Sequence, residues 1–327
     1  MTDKATAISP ASVDAPRWRK HMVYGLFTAF AVWCLLAFRR DIAQIDLSPL
    51  QSGWHAVLAA AALSLWNYAL RVIRWRMYLV RLGAMLPWRF VALTFMSGFA
   101  FTLSPGKLGE MVRGRYYQPK GIPMSAVTGA FFVERLLDLL VMILLAVAVL
   151  ADLQAYRSFL WVAVALVGGL LASIALMPWG SVAQKLGRKP HGKLLSALSS
   201  LANMFVNARQ FLSPGVLLAG LALGLFSWGA EALGLQLVGD VIAPGHLSVP
   251  AAMGIYSIAI IVGALSFLPG GLGSTETVMT ALLVAHGFAV PQAILLTLVC
   301  RLLTLWLAVI IGWLCVWLLR HEMRHEK

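Results

Sequence analysis

Apolar runs long enough to cross a lipid bilayer recur along this chain. A transmembrane helix needs about 20 mostly apolar residues to cross a hydrocarbon core of about 30 Å. Runs of that length lie at about residues 21–38, 52–70, 125–151, 158–178, 214–238 and 290–318. They predict an all-α polytopic membrane protein, with one transmembrane domain at 21–318 between short tails at 1–20 and 319–327.

The charge content agrees with a membrane protein and argues against a nucleic-acid partner. Only 12% of the residues are charged, whereas soluble domains carry about 25%. The net charge of +13 is divided among short loops between the apolar runs, as expected of topology determinants near anionic lipid headgroups. No small-residue cleavage site follows the first run, so we expect it to be retained as a helix.

Two further apolar runs, at about 90–104 and 251–268, end at Pro-Gly sequences through which a helix cannot continue. We interpret both as re-entrant hairpins beside six full spans. With the N-terminus in the cytoplasm, 21 of the 26 Lys and Arg residues then fall in cytoplasmic segments, which satisfies the positive-inside rule. Both termini are therefore expected in the cytoplasm, and the two hairpins are expected to enter from opposite sides.

The two hairpin regions share a spacing pattern. Glu110 is followed by Gly121 and Arg135 at 11 and 25 residues, and Glu276 is followed by Gly287 and Arg301 at the same spacings. Related units inserted in opposite directions form an inverted repeat, an architecture of transporters whose substrate sites lie where broken helices meet.

The first turn, around Pro105, Gly106 and Gly109, carries cations suited to a lipid phosphate. Free N–H groups at the start of a helix favour an anion there. Lys107 and Arg113 are candidate phosphate contacts. The alternative interpretation is a cytoplasmic loop that carries topology charges, with Glu110 as a helix cap.

Three charges fall within one apolar run, where each costs about 2.5–3.5 kcal/mol on insertion scales. Glu134, Arg135 and Asp138 lie on one side of a helix, so they should face a polar cavity or one another. The alternative is a helix end near the cytoplasmic interface. Arg301 lies at the matching depth in the second unit and has Glu276, Glu231 or Asp138 as candidate partners.

The second turn is rich in glycine and hydroxyl groups and lacks a cation. Its turn residues are Pro269, Gly270, Gly271 and Gly273. Ser274 or Thr275 is the expected N-cap of the following helix, with Glu276 in its first turn. Either these groups form a polar seat for a headgroup or they only cap the helix.

Other charged motifs are given structural interpretations. His321-Glu322-Met323-Arg324-His325 fits the H-E-x-x-H zinc pattern, but it lies in the expected cytoplasmic tail without a third ligand. Arg71, Arg74 and Arg76 are expected to form a basic, headgroup-facing end of the second span. We expect no metal, no cofactor and no catalytic residue.

Four segments together resemble the transmembrane region of the lysylphosphatidylglycerol synthase/flippase family. They are SPGKLGEMVRGRYY, GIPMSAVTGAFFVERLLDLL, LPGGLGSTETVMTALLVAHGF and RLLTLWLAVIIG. The resemblance covers about residues 20–318 and implies a protein that moves lipids, or lipid-linked sugars, between leaflets. The positions at which it implies functional residues are Gly106, Gly109, Glu110, Arg113, Glu134, Arg135, Asp138, Gly270, Gly271, Gly273, Glu276 and Arg301.

These patterns lead to a functional expectation. We expect a flippase of the cytoplasmic (inner) membrane that moves an anionic phospholipid or a polyprenyl-phosphate lipid, with no nucleic acid as partner. An aminoacyl-transfer domain is not evident in this sequence, so lipid aminoacylation is not expected. The alternatives are a membrane-embedded glycosyl- or phospho-transferase, and an assembly subunit of such an enzyme.

Overall fold

The structure, a computed structural model, describes residues 45–150, 154–187 and 192–325. The predicted first span at 21–38 and the tail at 1–20 lie outside the described residues. Contacts divide the chain into residues 1–45 and residues 46–327, and the fold below is that of the second unit. All regular structure in the described part is helical, which confirms the all-α part of the predicted fold class.

Thirteen α-helices occur within these ranges. In chain order they are α1 (Ser48–Ser52), α2 (Trp54–Arg81), α3 (Trp88–Ser97), α4 (Gly114–Tyr117), α5 (Met124–Leu150), α6 (Gln154–Leu176), α7 (Trp179–Gly187), α8 (Lys193–Arg209), α9 (Pro214–Ile242), α10 (Val249–Leu265), α11 (Ser274–Ala285), α12 (Val290–Arg301) and α13 (Leu307–His325). Short 3-10 segments at Gly98–Phe101, Pro105–Arg113, Gln118–Lys120 and Pro269–Gly271, and a π-helical segment at Leu302–Trp306, complete the backbone.

Three helices are long and apolar enough to cross a membrane. They are α2, α9 and the continuous helix Val290–Glu322, of 28, 29 and 33 residues. A fourth span results if α6 and α7, which meet at a bend of 76°, are counted together. Helix α5 has 27 residues and is strongly apolar, but it carries three charged residues, Glu134, Arg135 and Asp138, and is therefore not counted among these spans. The described residues thus contain three or four spans by length and composition.

Helices α2 and α9 pack against each other in antiparallel directions. Gly234 lies beside Ala60, where an added Cβ would come within 3.3 Å of the alanine Cβ. Seven residues after Ala60 on α2 and seven residues before Gly234 on α9, the Asn67 amide donates to the Ser227 carbonyl at 2.9 Å. As residue numbers rise along α2 they fall along α9, so the two helices run in opposite directions.

The chain reverses at each Pro-Gly turn. Gly98 precedes the first turn and Glu110 follows it, and the two lie against each other. A Cβ added to Gly98 would be 3.1 Å from the carbonyl oxygen of Glu110. In the second, the hydroxyl groups of Ser266 and Ser274 lie 2.9 Å apart across the turn. Each region is therefore a hairpin, one formed by residues 88–120 and the other by residues 249–285.

The tips of the two hairpins touch. Gly270 has a φ of 62°, and a Cβ at this position would lie 2.7 Å from Leu103 Cδ2 of the first hairpin. The 3-10 segments Pro105–Arg113 and Pro269–Gly271 are in contact as well. Residues that are distant in sequence are brought together at this junction.

Candidate functional site

A pocket of about 40 Å³ lies at the junction of the hairpin tips. Helices α2, α9, α10 and α12, the first hairpin, the π-helical segment and α13 all contribute to its wall. Its charged and polar lining residues are Tyr68, Arg71, Thr102, Lys107, Glu110, Trp228, Glu231, Tyr256, Arg301 and Thr304. The pocket thus contains three cations and two carboxyl groups in a fold whose helices are otherwise strongly apolar.

Among the buried arginines of the described chain, Arg71 lies farthest from any carboxylate oxygen. Only 5% of its surface is exposed, and its Nε and Nη2 have no hydrogen-bond partner in the described part of the chain. Its nearest carboxylates, Glu110 and Glu134, are 3.9 and 3.8 Å from Nη2. Its guanidinium instead stacks among three aromatic rings, those of Phe95, Phe99 and Trp228. Donor capacity therefore remains on a desolvated cation that lines the pocket.

A network of ion pairs lies behind Arg71. Asp138 accepts a hydrogen bond from Arg74 at 2.7 Å and another from the Trp228 indole at 3.0 Å. Arg74 also lies 3.3 Å from Glu134. Arg71 and Arg74 are therefore both buried inside the protein, which corrects the prediction that they form a headgroup-facing end of the span. Arg76 stacks on Trp88, with 4.0 Å between the guanidinium carbon and the ring centre.

Arg113 and Arg135 belong to this network and are not among the residues that line the pocket. Arg113 is fully buried, donates to Glu134 at 2.7 Å and stacks on Trp75 at 3.7 Å. Arg135 lies 3.0 Å from Glu134 and 3.1 Å from Asp138. The acids and arginine predicted to cluster on α5 therefore do face one another, and arginines from α2 and the first hairpin share them.

Lys107 and Glu110 extend from the first turn into the pocket. Lys107 adopts a φ of 57°, which is rare outside glycine, and its ammonium lies 5.9 Å from the Trp228 ring centre. Glu110 is buried and accepts a hydrogen bond from Thr102 at 2.8 Å. Gly109 allows the tight approach, because a Cβ there would lie 2.6 Å from the Phe101 carbonyl oxygen.

In the second hairpin an arginine holds both the tip and the following helix. Arg301 Nε donates to Glu276 at 2.6 Å, and Nη2 donates to the carbonyl of Gly270 at 2.7 Å. Among the predicted candidates, its partner is therefore Glu276. The Glu276 carboxylate also accepts from the N–H of Gly273 at 2.6 Å.

The N-cap of α11 is Gly273, which corrects the assignment to Ser274 or Thr275. Gly273 has a φ of 85°, a conformation that glycine adopts without a steric penalty. Ser274 instead bonds to the Gly271 carbonyl at 3.1 Å, and Thr275 is buried against Gly263. Both hydroxyl residues stabilise the turn, and neither is among the pocket-lining residues.

A π-helical segment shapes the wall opposite the first hairpin. It follows Arg301 directly and spans Leu302–Trp306. Such segments leave carbonyl groups poorly paired and are frequent at functional sites. Tyr68 donates to the Thr304 carbonyl at 2.7 Å, so it compensates for this defect while lining the pocket.

Glu231 and Tyr256 form a pair that sequence analysis did not identify. The Tyr256 hydroxyl donates to the Glu231 carboxyl group across α9 and α10. A signal was present, since Glu231 is an acid within the apolar run 214–238, but it was considered only as a partner of Arg301.

The site is suited to binding an anion. Away from this site, Glu322 of the H-E-x-x-H sequence pairs with Arg89 at the surface, and the described residues include no group of three metal-binding side chains. Arginine and lysine donors in a desolvated pocket match the geometry of a phosphate group.

Comparison with known proteins gives two findings. The family model of the lysylphosphatidylglycerol synthase transmembrane region matches residues 22–312, a range that contains every residue of the pocket. A UPF0104 membrane protein of Methanothermobacter thermautotrophicus is 27% identical, over 79% of this chain and 82% of its own length. The resemblance predicted from the four motif segments is thereby confirmed.

Proposed function

Because this chain belongs to the family of the lysylphosphatidylglycerol synthase transmembrane region, we propose that it moves an anionic lipid between the leaflets of the cytoplasmic membrane. The observation that carries this proposal is the pocket at the hairpin tips, which is lined by three cations, Arg71, Lys107 and Arg301. A desolvated set of cations inside an apolar fold is expensive unless an anion or a carboxylate compensates it.

The hairpins give a physical route for a headgroup. Non-helical backbone at membrane depth is tolerated only where it is buried in protein or lines a cavity. Both tips here carry such backbone, at Lys107 and at Gly270, and both border the same junction. A headgroup that enters between them crosses less hydrocarbon than it would in a pure bilayer.

The inverted-repeat topology with six spans and cytoplasmic termini is part of the proposal. In its support, Gly121 and Gly287, which are equivalent in the spacing pattern, have φ values of 81° and 98°. The two units differ in their pairing, however. Arg301 contacts Glu276 directly, while Arg135 contacts Glu134 and Asp138 in place of Glu110.

The pairing pattern also identifies which cations would bind the headgroup phosphate. Arg113 and Arg135 are engaged by carboxylates and would hold the scaffold. Arg71 and Lys107 line the pocket, and neither has a carboxylate oxygen closer than 3.8 Å in the described part of the chain, so these two would contact the phosphate. Arg301 lines the same pocket, but its Nε is already held by Glu276, so it would add its charge more than a free donor. The phosphate of a phospholipid and that of a polyprenyl phosphate share this chemistry.

Purified protein in liposomes tests the proposal. We expect fluorescent anionic phospholipid or polyprenyl phosphate to exchange between leaflets faster than in protein-free liposomes, with the mass of the lipid unchanged. A glycolipid without phosphate should move more slowly, because it has no anion for the pocket. Arg71→Met should lower this exchange. Its matched control is Arg89→Met, which removes an arginine whose side chain is 78% exposed and should leave exchange unaffected.

The same assay separates transport from catalysis. Addition of a sugar-nucleotide donor should not change the result. A covalently altered lipid that appears only with the donor would contradict the proposal and favour a transferase. Equal exchange of the anionic lipid with and without protein would contradict it as well.

A further inference from the structure

Glu231 lies where the charged pocket meets a second pocket. The second pocket is small, with a volume of about 10 Å³. Apolar side chains form much of its wall, among them Leu235, Val238 and Leu303. Glu231 and Thr304 line both pockets, so one carboxyl group borders two separate spaces.

The two pockets follow one another along the helices. On α2 the second pocket is lined by Ala60 and Ser64, and the charged pocket by Tyr68 and Arg71. At a rise of about 1.5 Å per residue, their centres are roughly 11 Å apart along the helix. On α9 the order is Trp228, then Glu231, then the residues of the second pocket at 234–238. Glu231 therefore lies between the two pockets. On α9, the charged pocket lies on its N-terminal side and the second pocket on its C-terminal side.

Glu231 is the carboxyl group of this site that has no cation partner. It is 4% exposed and forms no ion pair within 4.0 Å in the described part of the chain. Tyr256 donates to it. A buried carboxylate without a paired cation is costly, and binding a proton removes that cost. The other charged or titratable groups that line the two pockets around it are Tyr68, Arg71, Lys107, Glu110, Cys300 and Arg301.

We propose that Glu231 is a proton-binding site that couples lipid movement to a proton gradient, an inference that rests on the proposed function. A proton reaches a carboxyl oxygen of Glu231 from water through one pocket and leaves that oxygen for water through the other. On entry, an O–H bond of a hydronium ion breaks as the carboxyl O–H bond forms, and on exit the carboxyl O–H bond breaks as the proton passes to a water molecule. The proton neutralises the negative charge that Glu231 would otherwise present to an anionic headgroup in the same pocket, so proton and headgroup favour each other's binding.

Infrared difference spectroscopy tests the proton site without lipid transport. Spectra of the reconstituted protein in acidic and alkaline buffer should differ by a carboxylic acid C=O band. That band should be lost in Glu231→Gln and retained in Asp240→Asn, a matched change at an exposed residue of the same helix. In Tyr256→Phe the band should shift in frequency, because the hydrogen bond is lost. A band that persists unchanged in Glu231→Gln would overturn the assignment.

Vesicles with an imposed pH difference test the coupling. The wild-type protein should accelerate exchange of anionic lipid several-fold when the pH difference is imposed, and should carry protons into the vesicle as reported by a trapped pH dye. Glu231→Gln should show neither response, and Asp240→Asn should show both. Wild-type exchange that ignores the pH difference, or a Glu231→Gln protein that carries protons as fast as wild type, overturns the coupling but not the proposed function. A wild-type protein that moves no lipid under any condition overturns the proposed function instead.

Discussion

Buried arginines in this protein differ in how fully their guanidinium groups are paired. Arg113 is fully buried and bonded to Glu134 at 2.7 Å. Arg71 is nearly as buried, but its closest carboxylate oxygen is 3.8 Å away. Removing one member of a buried ion pair strands the other, at a cost of about 3–5 kcal/mol. Removing a charge that has no close partner relieves desolvation and strands no bonded group.

Substitution by methionine should separate the two roles. Arg113→Met should lower the free energy of unfolding by about 3–5 kcal/mol, because Glu134 loses its shortest contact. Arg71→Met should lower it much less, yet should reduce leaflet exchange of an anionic lipid to near the protein-free rate. Thermal melting in detergent and the liposome assay measure the two effects.

A conservative variant tests whether the positive charge of Arg71 is what supports lipid exchange. Arg71→Lys keeps the positive charge and should retain part of the exchange activity. If Arg71→Met exchanged lipid at the wild-type rate, the contact of Arg71 with the headgroup would be rejected. If instead it melted as early as Arg113→Met, the contrast in pairing would be rejected.

At the scale of elements, the contact between hairpin tips depends on glycine at position 270. Gly270→Ala should destabilise the protein in two ways. A positive φ costs an L-residue about 1–2 kcal/mol, and the new Cβ would lie 2.7 Å from Leu103, adding about 1–3 kcal/mol of overpacking. Gly83→Ala provides the matched control, because its φ is 79° and nothing lies within 4 Å of its added Cβ. Thermal melting should therefore show a larger loss at 270 than at 83.

A double mutant tests whether the tips are in contact. Leu103→Ala removes the atom that the new Cβ would meet, so it should recover the overpacking part of the Gly270→Ala loss and leave the part due to φ. Strict additivity of the two changes would show that the tips do not touch. Leu103→Ala should give no recovery when combined with Gly83→Ala.

At the scale of the whole molecule, the prediction concerns the sides of the membrane on which the hairpins end. Single cysteines can be placed in a variant that lacks Cys34, Cys300 and Cys315. Lys120→Cys and Gly192→Cys should react with a membrane-impermeant reagent only from the cytoplasmic side, and His246→Cys and His286→Cys only from outside. These four positions are exposed, whereas Ala243, another residue near the end of α9, is buried and would label poorly.

Positions 120 and 286 make this test decisive. They precede Gly121 and Gly287, the equivalent glycines at the ends of the two hairpin regions. Labelling of both from the same side would reject the inverted repeat and leave a protein with two parallel hairpins. Labelling from opposite sides, with 120 outside, would preserve the repeat and reverse the predicted orientation.

The sequence was sufficient for features set by local chemistry. Long apolar runs predicted membrane-capable helices, because hydropathy and length alone determine what can cross a bilayer. Pro-Gly sequences predicted both turns, since proline and glycine act on the backbone at their own positions. The spacing of Glu134, Arg135 and Asp138 predicted a shared side of one helix, and their motifs predicted the family.

Tertiary structure decided which charge pairs with which and which of them face the pocket. Arg71 and Arg74 follow an apolar run like ordinary topology charges, and only the packing of α2 against α5, α9 and the first hairpin buries them. Glu231 meets Tyr256 because α10 lies against α9. Both outcomes depend on contacts between helices far apart in the chain. Hydropathy and spacing are local properties, so by themselves they determined that this chain enters a membrane, and the packing of its helices decided where an anion and a proton would bind.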